Sequence, residues 1–157
     1  MYKETAAGST MKTPDELART ALLDCDYEAV LAATEAAIAG DPGNFQLHYL
    51  RGRAFAARKD YDSAIACYER AVQCDLAQPL AHISLGIVSR QQGRPDVAVG
   101  HYRLALALDP QSFEANLNLG NASLDLSDFS TAAAAFTSAV AANAQSAGAR
   151  LGLARAS

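Results

Sequence analysis

Histidine and cysteine are the residue types of this chain that could support metal or nucleophilic chemistry. His48 and His82 lie 34 residues apart and could be imagined as a metal-binding pair, but no third ligand accompanies them, and His101 is isolated. No Ser/His/Asp or Cys/His set, paired carboxylates or phosphate-binding glycine loop is apparent. We therefore predict no catalytic residue, no metal site and no cofactor, and we interpret the histidines as packing residues.

The cysteines indicate a reducing compartment. Cys25, Cys67 and Cys74 are odd in number and form no CxxC spacing, which argues against a disulfide framework or a zinc site. Small, buried or half-buried free thiols are the expected alternative. We expect a cytoplasmic protein.

The overall charge and hydropathy exclude two classes of partner. The 157 residues carry a net charge of −4 with no basic stripe, so nucleic acid is not an expected partner. No apolar run is long enough for a bilayer, so we expect no membrane insertion. The first ten residues lack the apolar core of a secretory signal.

The elements that would position any functional residue repeat at a fixed interval. Glycine, alanine and aromatic residues recur every 34 positions, in the columns Gly52, Gly86 and Gly120; Ala64, Ala98 and Ala132; and Tyr68, Tyr102 and Phe136. A period of this length indicates an array of similar units. Such arrays bind partners along their length and seldom catalyse reactions.

Each unit has the apolar spacing of two helices separated by a break. Breaks fall at Lys59-Asp60 and at Gly93-Arg94-Pro95, where proline suits the first turn of a helix. Thr13-Pro14-Asp15-Glu16 reads as a capping box that starts the first helix. We divide the chain into units 11–44, 45–78, 79–112 and 113–146, a terminal helix at 147–157, and residues 1–10, a disordered tail or a remnant added before Met11.

These columns resemble the tetratricopeptide repeat family, whose units are 34-residue helix–turn–helix hairpins. The second, third and fourth units match its glycine, alanine and aromatic pattern; the first is weaker, because Val30 and Thr34 replace an alanine and an aromatic. The resemblance implies an all-α, right-handed superhelical solenoid of about four repeats plus a terminal helix. It also implies that the first helix of each hairpin lines a concave groove.

The family geometry assigns particular positions of each first helix to that groove. Apolar residues in the middle predict an exposed binding strip, three arginines offer donors to a carboxylate, and two asparagines three apart offer amides to a partner's main chain. We predict a peptide- or partner-binding groove formed by Arg19, Tyr49, Leu50, Arg53, Ile83, Ile87, Arg90, Leu117, Asn118 and Asn121. The alternative is that the arginines are solvated and the asparagines bond locally.

Two known binding modes of the family fit these columns poorly. A clamp for acidic chaperone tails would want lysine where Asp15 and Tyr49 stand, and an asparagine ladder would have only the rung at Asn118. We predict a non-catalytic scaffold that binds a protein or peptide segment in its groove. The alternative is the repeat region of a larger glycosyl-, sulfo- or methyltransferase, where it would recruit substrate or form a dimer.

The C-terminal end lacks charge. Residues 130–148 contain no charged side chain, and the chain stops about one helix into a fifth unit, where Leu151 and Leu153 could let that helix act as a cap. Arrays of this kind usually need a polar terminal unit. We expect either that the chain is a fragment or that this end self-associates with another copy.

Overall fold

A computed structural model describes residues 12–157 of the chain. Within this range the chain forms nine α-helices, and each packs on the helix that follows it. Their bounds are α1 Pro14–Leu23, α2 Tyr27–Gly40, α3 Phe45–Ala57, α4 Tyr61–Cys74, α5 Pro79–Gln91, α6 Pro95–Leu108, α7 Phe113–Asp125, α8 Phe129–Ala142 and α9 Ala147–Ala156. The tail predicted for residues 1–10 lies outside the described residues.

The helices are arranged as successive antiparallel pairs, α1/α2 to α7/α8, with α9 packed on the last pair. We call the first helix of each pair, together with α9, an A helix, and the second a B helix. The prediction of an all-α solenoid of helical hairpins is confirmed. Among the described helices, none combines the length and apolar character that crossing a bilayer requires.

The turn inside each hairpin has the same backbone form. Its central residue has a positive φ: 57° at Cys25, 63° at Lys59, 75° at Gly93 and 59° at Ser127. The next residue donates its N–H back across the turn, as Asp60 does to the carbonyl of Phe55 at 3.0 Å. This bond satisfies a carbonyl that the helix end leaves free. Only one of these four positions is glycine, the residue that adopts this conformation without strain.

Aspartate starts three of the four B helices. Asp26, Asp60 and Asp128 each accept a hydrogen bond from the N–H three residues later, which caps the helix. The third hairpin has Arg94 there without a side-chain cap, and it compensates with glycine before the cap and proline after it. The predicted capping box of α1 is also present between Thr13 and Glu16.

The glycine column exists because an aromatic ring of the paired B helix lies directly on the A-helix backbone. A Cβ at Gly52 would lie 2.7 Å from the ring of Tyr68, and one at Gly120 would lie 2.6 Å from that of Phe136. Such contacts are too short for carbon atoms, so larger residues would push the two helices apart. The hairpins thus depend on close backbone approach, and their cores join successive units.

Candidate binding groove on the A-helix face

A depression on the A-helix face lies between α3 and α5, and we call it the α3–α5 groove. It is an open cavity of about 530 Å³. Three of the predicted site residues, Tyr49, Arg53 and Ile87, line it. The remaining lining residues are Ala56, Ala57, Tyr68, Leu80, Ser84, Val88, Gln91 and Glu114.

Close backbone contacts between neighbouring A helices are sparsest between α3 and α5, where the groove opens. α1 and α3, α5 and α7, and α7 and α9 all approach one another closely. Tyr49 stands in the column that holds Asp15, Ile83 and Leu117 in the other units. Its large ring is the feature of this column that distinguishes α3, and it occupies the space between the two helices.

Aromatic side chains form the floor of the groove. The ring of Tyr49 stacks on that of Phe45 at 5.7 Å between centroids, and lies 5.7 Å from the tilted ring of Tyr68. The hydroxyl of Ser84 donates to the phenol oxygen of Tyr49 at 3.4 Å. Burial raises the pKa of Tyr68, and neighbouring Tyr49 acts in the same direction. The phenol of Tyr68 therefore stays protonated at neutral pH and can donate a hydrogen bond.

Charges of opposite sign stand at the rim. Arg53 is exposed on α3, and no carboxylate of residues 12–157 lies within ion-pair distance of its guanidinium. Glu114, at the start of α7, supplies the negative charge. The free guanidinium offers planar donors that match a carboxylate.

Arg90, one of the three arginines predicted to offer donors to a partner, is paired with a carboxylate of this chain. Its Nε donates to Oδ2 of Asp125 at 2.5 Å, and its Nη2 donates to Oδ1 at 3.4 Å. The hydrogen bond to Asp125 raises the pKa of Arg90. The ion pair joins α5 to α7 and lies beyond the end of the α3–α5 groove.

The prediction of an exposed apolar strip is wrong at three positions. Tyr49 is only 8% exposed, although it still lines the α3–α5 groove. Leu50 is 1% exposed and packs with Val30 and Ala54 between the first and second hairpins, and Ile83 is 4% exposed in a cluster with Tyr102. In the first unit Thr34 stands at the repeat position that holds an aromatic ring in the other units. The side chain of Leu50 belongs to the core between the first two hairpins.

The other predicted residues are scattered along the same face. Arg19 is exposed on α1, and Leu117 and Asn121 are half-buried on α7. Asn118 donates its side-chain N–H to the carbonyl of Glu114 at 3.0 Å, the local bond that was the alternative interpretation. None of these four residues lines the α3–α5 groove.

The histidines lie away from the groove lining. His48 is buried with its Nε2 at 2.9 Å from the carbonyl oxygen of Pro42. His101 is not isolated, because its ring lies on that of His82 with centroids 6.1 Å apart. Burial lowers the pKa of both, and His82 lowers that of His101 further. Within residues 12–157, no group of three or more potential ligands could hold a metal ion.

The contacts between neighbouring A helices that form the groove were not predicted from the sequence. Tyr68 belongs to the repeating aromatic column and is not among the predicted site residues, yet it forms part of the groove floor. Tyr49 contacts Ser84, and Arg90 contacts Asp125, each across 35 residues. Side-chain contacts between neighbouring A helices therefore join residues that are one repeat plus one residue apart. Applied to the sequence, this spacing would have paired Arg90 with Asp125.

Stacked helical hairpins with an open groove on one face define a helical-repeat protein. The chain belongs to the tetratricopeptide repeat family: its profile described as TPR repeat matches residues 52–93, and profiles described as tetratricopeptide repeat match 81–113 and 117–157. Domains of this family typically mediate protein–peptide binding and are generally non-enzymatic. No curated protein sequence matches the chain.

Solved structures share the fold at low sequence identity. MamA superimposes with a TM-score of 0.82 at 17% identity, over 89% of this chain and 82% of MamA. YrrB, described as a TPR protein with an unusual peptide-binding site, gives 0.75 at 19% identity, over 88% and 72%. The first TPR of Spaghetti (RPAP3), bound to an HSP90 peptide, gives 0.69 at 20% identity, over 71% and 89%.

Proposed function

We propose that this chain is a non-catalytic scaffold that binds an extended segment of a partner protein in the α3–α5 groove. The partner's acidic side chain pairs with Arg53, and an apolar side chain beside it packs on Tyr49 and Ile87. The observation that carries the proposal is the exposed guanidinium of Arg53, which has no ion-pair partner among residues 12–157 and stands beside a cavity with an aromatic floor.

The dimensions and chemistry of the groove support this assignment. Its volume of about 530 Å³ is typical of pockets that hold small ligands or a few side chains. Tyrosine and arginine are the residue types that contribute most to binding energy at protein interfaces. The hydroxyl of Tyr68 adds a donor for a peptide carbonyl.

The similar structures offer support for the class of ligand. The Spaghetti domain was solved with an HSP90 peptide, and YrrB is described by its peptide-binding site. In the present chain Asp15 and Tyr49 stand where a clamp for an acidic chain terminus would place lysine. We therefore propose that the anchor is an acidic side chain within a segment.

A library of random peptides displayed on phage tests the proposal. We expect selection on the wild-type protein to enrich peptides with one acidic position next to an apolar one. The double variant Arg53→Glu, Ile87→Asp should enrich none of them while keeping its helical circular dichroism. Arg103→Glu repeats the charge change of Arg53→Glu at an exposed site on α6 and should retain the wild-type pool. Equal enrichment on the double variant would refute the groove assignment.

A further inference from the structure

The ion pair between Arg90 and Asp125 divides the A-helix face. On the α3 side of α5, the equivalent positions are Ala56 and Gln91, which form no bridge and line the open cavity. On the α7 side, Arg90 and Asp125 join the two helices through two hydrogen bonds. The same two repeat positions are therefore unbridged between α3 and α5 and bridged by an ion pair between α5 and α7.

The ion pair is exposed enough to be exchanged. The side chains of Arg90 and Asp125 are 40% and 41% exposed. Water screens a pair of this kind, and such pairs contribute little to stability. A carboxylate from a partner would offer Arg90 the same two hydrogen bonds that Asp125 supplies, so the two carboxylates would compete on similar terms.

A buried polar group lies close to the ion pair. The hydroxyl of Tyr102 is buried and has no hydrogen-bond partner among the described residues. After burial, the groups that act most strongly on its pKa are Arg90, Glu114 and Asp125. An unpaired buried hydroxyl is costly.

We propose that Asp125 is a built-in competitor for a second anionic subsite, centred on Arg90. It occupies the subsite in the free protein and so limits the bound segment to one acidic anchor, at Arg53. This inference rests on the proposed function, because it extends the same bound segment from the α3–α5 groove towards α7. Asp125 is thus a residue that sets the specificity for the partner's charge pattern.

The geometry gives the spacing of the two acidic residues. Arg53 and Arg90 stand on adjacent A helices, about 10 Å apart, and their repeat positions differ by three residues, or roughly 4.5 Å along the helix. The combined separation is roughly 11 Å. An extended segment rises about 3.3 Å per residue, so the second acidic residue stands three or four positions from the first.

Selection of the same phage-displayed peptides on Asp125→Ala tests the inference. We expect the wild-type pool to contain one acidic position, and the Asp125→Ala pool to gain a second one, three or four residues away. A synthetic peptide with both acidic residues should bind Asp125→Ala about two- to five-fold more tightly than wild type, as expected for the loss of an exposed competing pair. The double variant Arg90→Gln, Asp125→Ala should lose this gain.

The outcomes distinguish failure of the proposed subsite at Arg90 from failure of the proposed anchor at Arg53. Identical pools and equal affinities for wild type and Asp125→Ala would overturn the role of Asp125, whatever Arg53 does. If Arg53→Gln leaves the first acidic position unchanged while the second still depends on Arg90, the anchor at Arg53 is wrong and the subsite stands. Failure of every form of the protein to enrich peptides would overturn both proposals.

Discussion

Replacement of Leu50 by alanine separates its role in the core from a role in the groove. Leu50 is 1% exposed and packs against Ala18, Val30 and Ala54, where the first hairpin meets the second. Truncation of a buried leucine removes its transfer free energy and leaves a cavity, and it costs about 2–5 kcal/mol. Because this cluster lies near one end of the described array and can partly collapse, we expect a loss of about 3 kcal/mol.

Urea unfolding followed by circular dichroism measures this loss. The midpoint of Leu50→Ala should fall by an amount equivalent to about 3 kcal/mol, and the melting temperature by roughly 6–12 °C. Leu23→Ala is the matched control, since Leu23 is 84% exposed at the end of α1 and its truncation should change stability by less than about 0.5 kcal/mol. At temperatures where the variant is folded, its affinity for a selected peptide should equal that of wild type. A stability loss below about 1 kcal/mol together with weaker peptide binding would refute the assignment of Leu50 to the core.

Three further predictions concern the turns, the histidines and the C-terminal end. Lys59→Gly should raise the melting temperature by about 1–3 °C, because glycine relieves the positive φ of 63°; a lower value by calorimetry would contradict this. Burial lowers the folded-state pKa of His82 and His101 below the unfolded value, so both favour the neutral folded form. Their contribution to the free energy of unfolding is fully present above the unfolded pKa near 6.5, and it is lost as the pH falls through the lowered folded pKa. The urea midpoint of the wild-type protein should therefore drop below pH 6.5. An equal drop in the variant with glutamine at both positions would exclude the two histidines as the cause. Finally, α8 carries no charged residue and Leu151 is exposed, so sedimentation should show self-association that Leu151→Lys weakens; a wild-type monomer at high concentration would contradict this prediction.

The fold could be predicted because each unit repeats the same local signals. The glycine and aromatic columns fix which helices touch, and aspartate or proline marks where each B helix begins. The positive φ of Lys59 and Ser127 could not be read from residue type, since neither favours that conformation. The positive φ follows from the position of each residue in the turn of its hairpin. Gly93 is the one residue at this position whose type indicates a positive φ.

The site could be predicted only in part, because the position of a residue in the repeat does not determine how deeply its side chain is buried. Leu50 and Asn118 share a column, yet Leu50 is 1% exposed in the core while Asn118 is half-buried. The state of Arg90 depends on Asp125, which stands in the next unit. These outcomes are set by pairs of residues in different helices, so they require the packed structure.

The location of the bound peptide tests the central claim most directly. A selected acidic peptide should be titrated into isotopically labelled protein, and the backbone and side-chain NMR shifts should be followed. We predict that the largest chemical-shift changes fall on Tyr49, Arg53 and Ile87, with small changes on the outer faces of α6 and α8. Saturable changes centred on α6 and α8, with Arg53 unaffected, would contradict it.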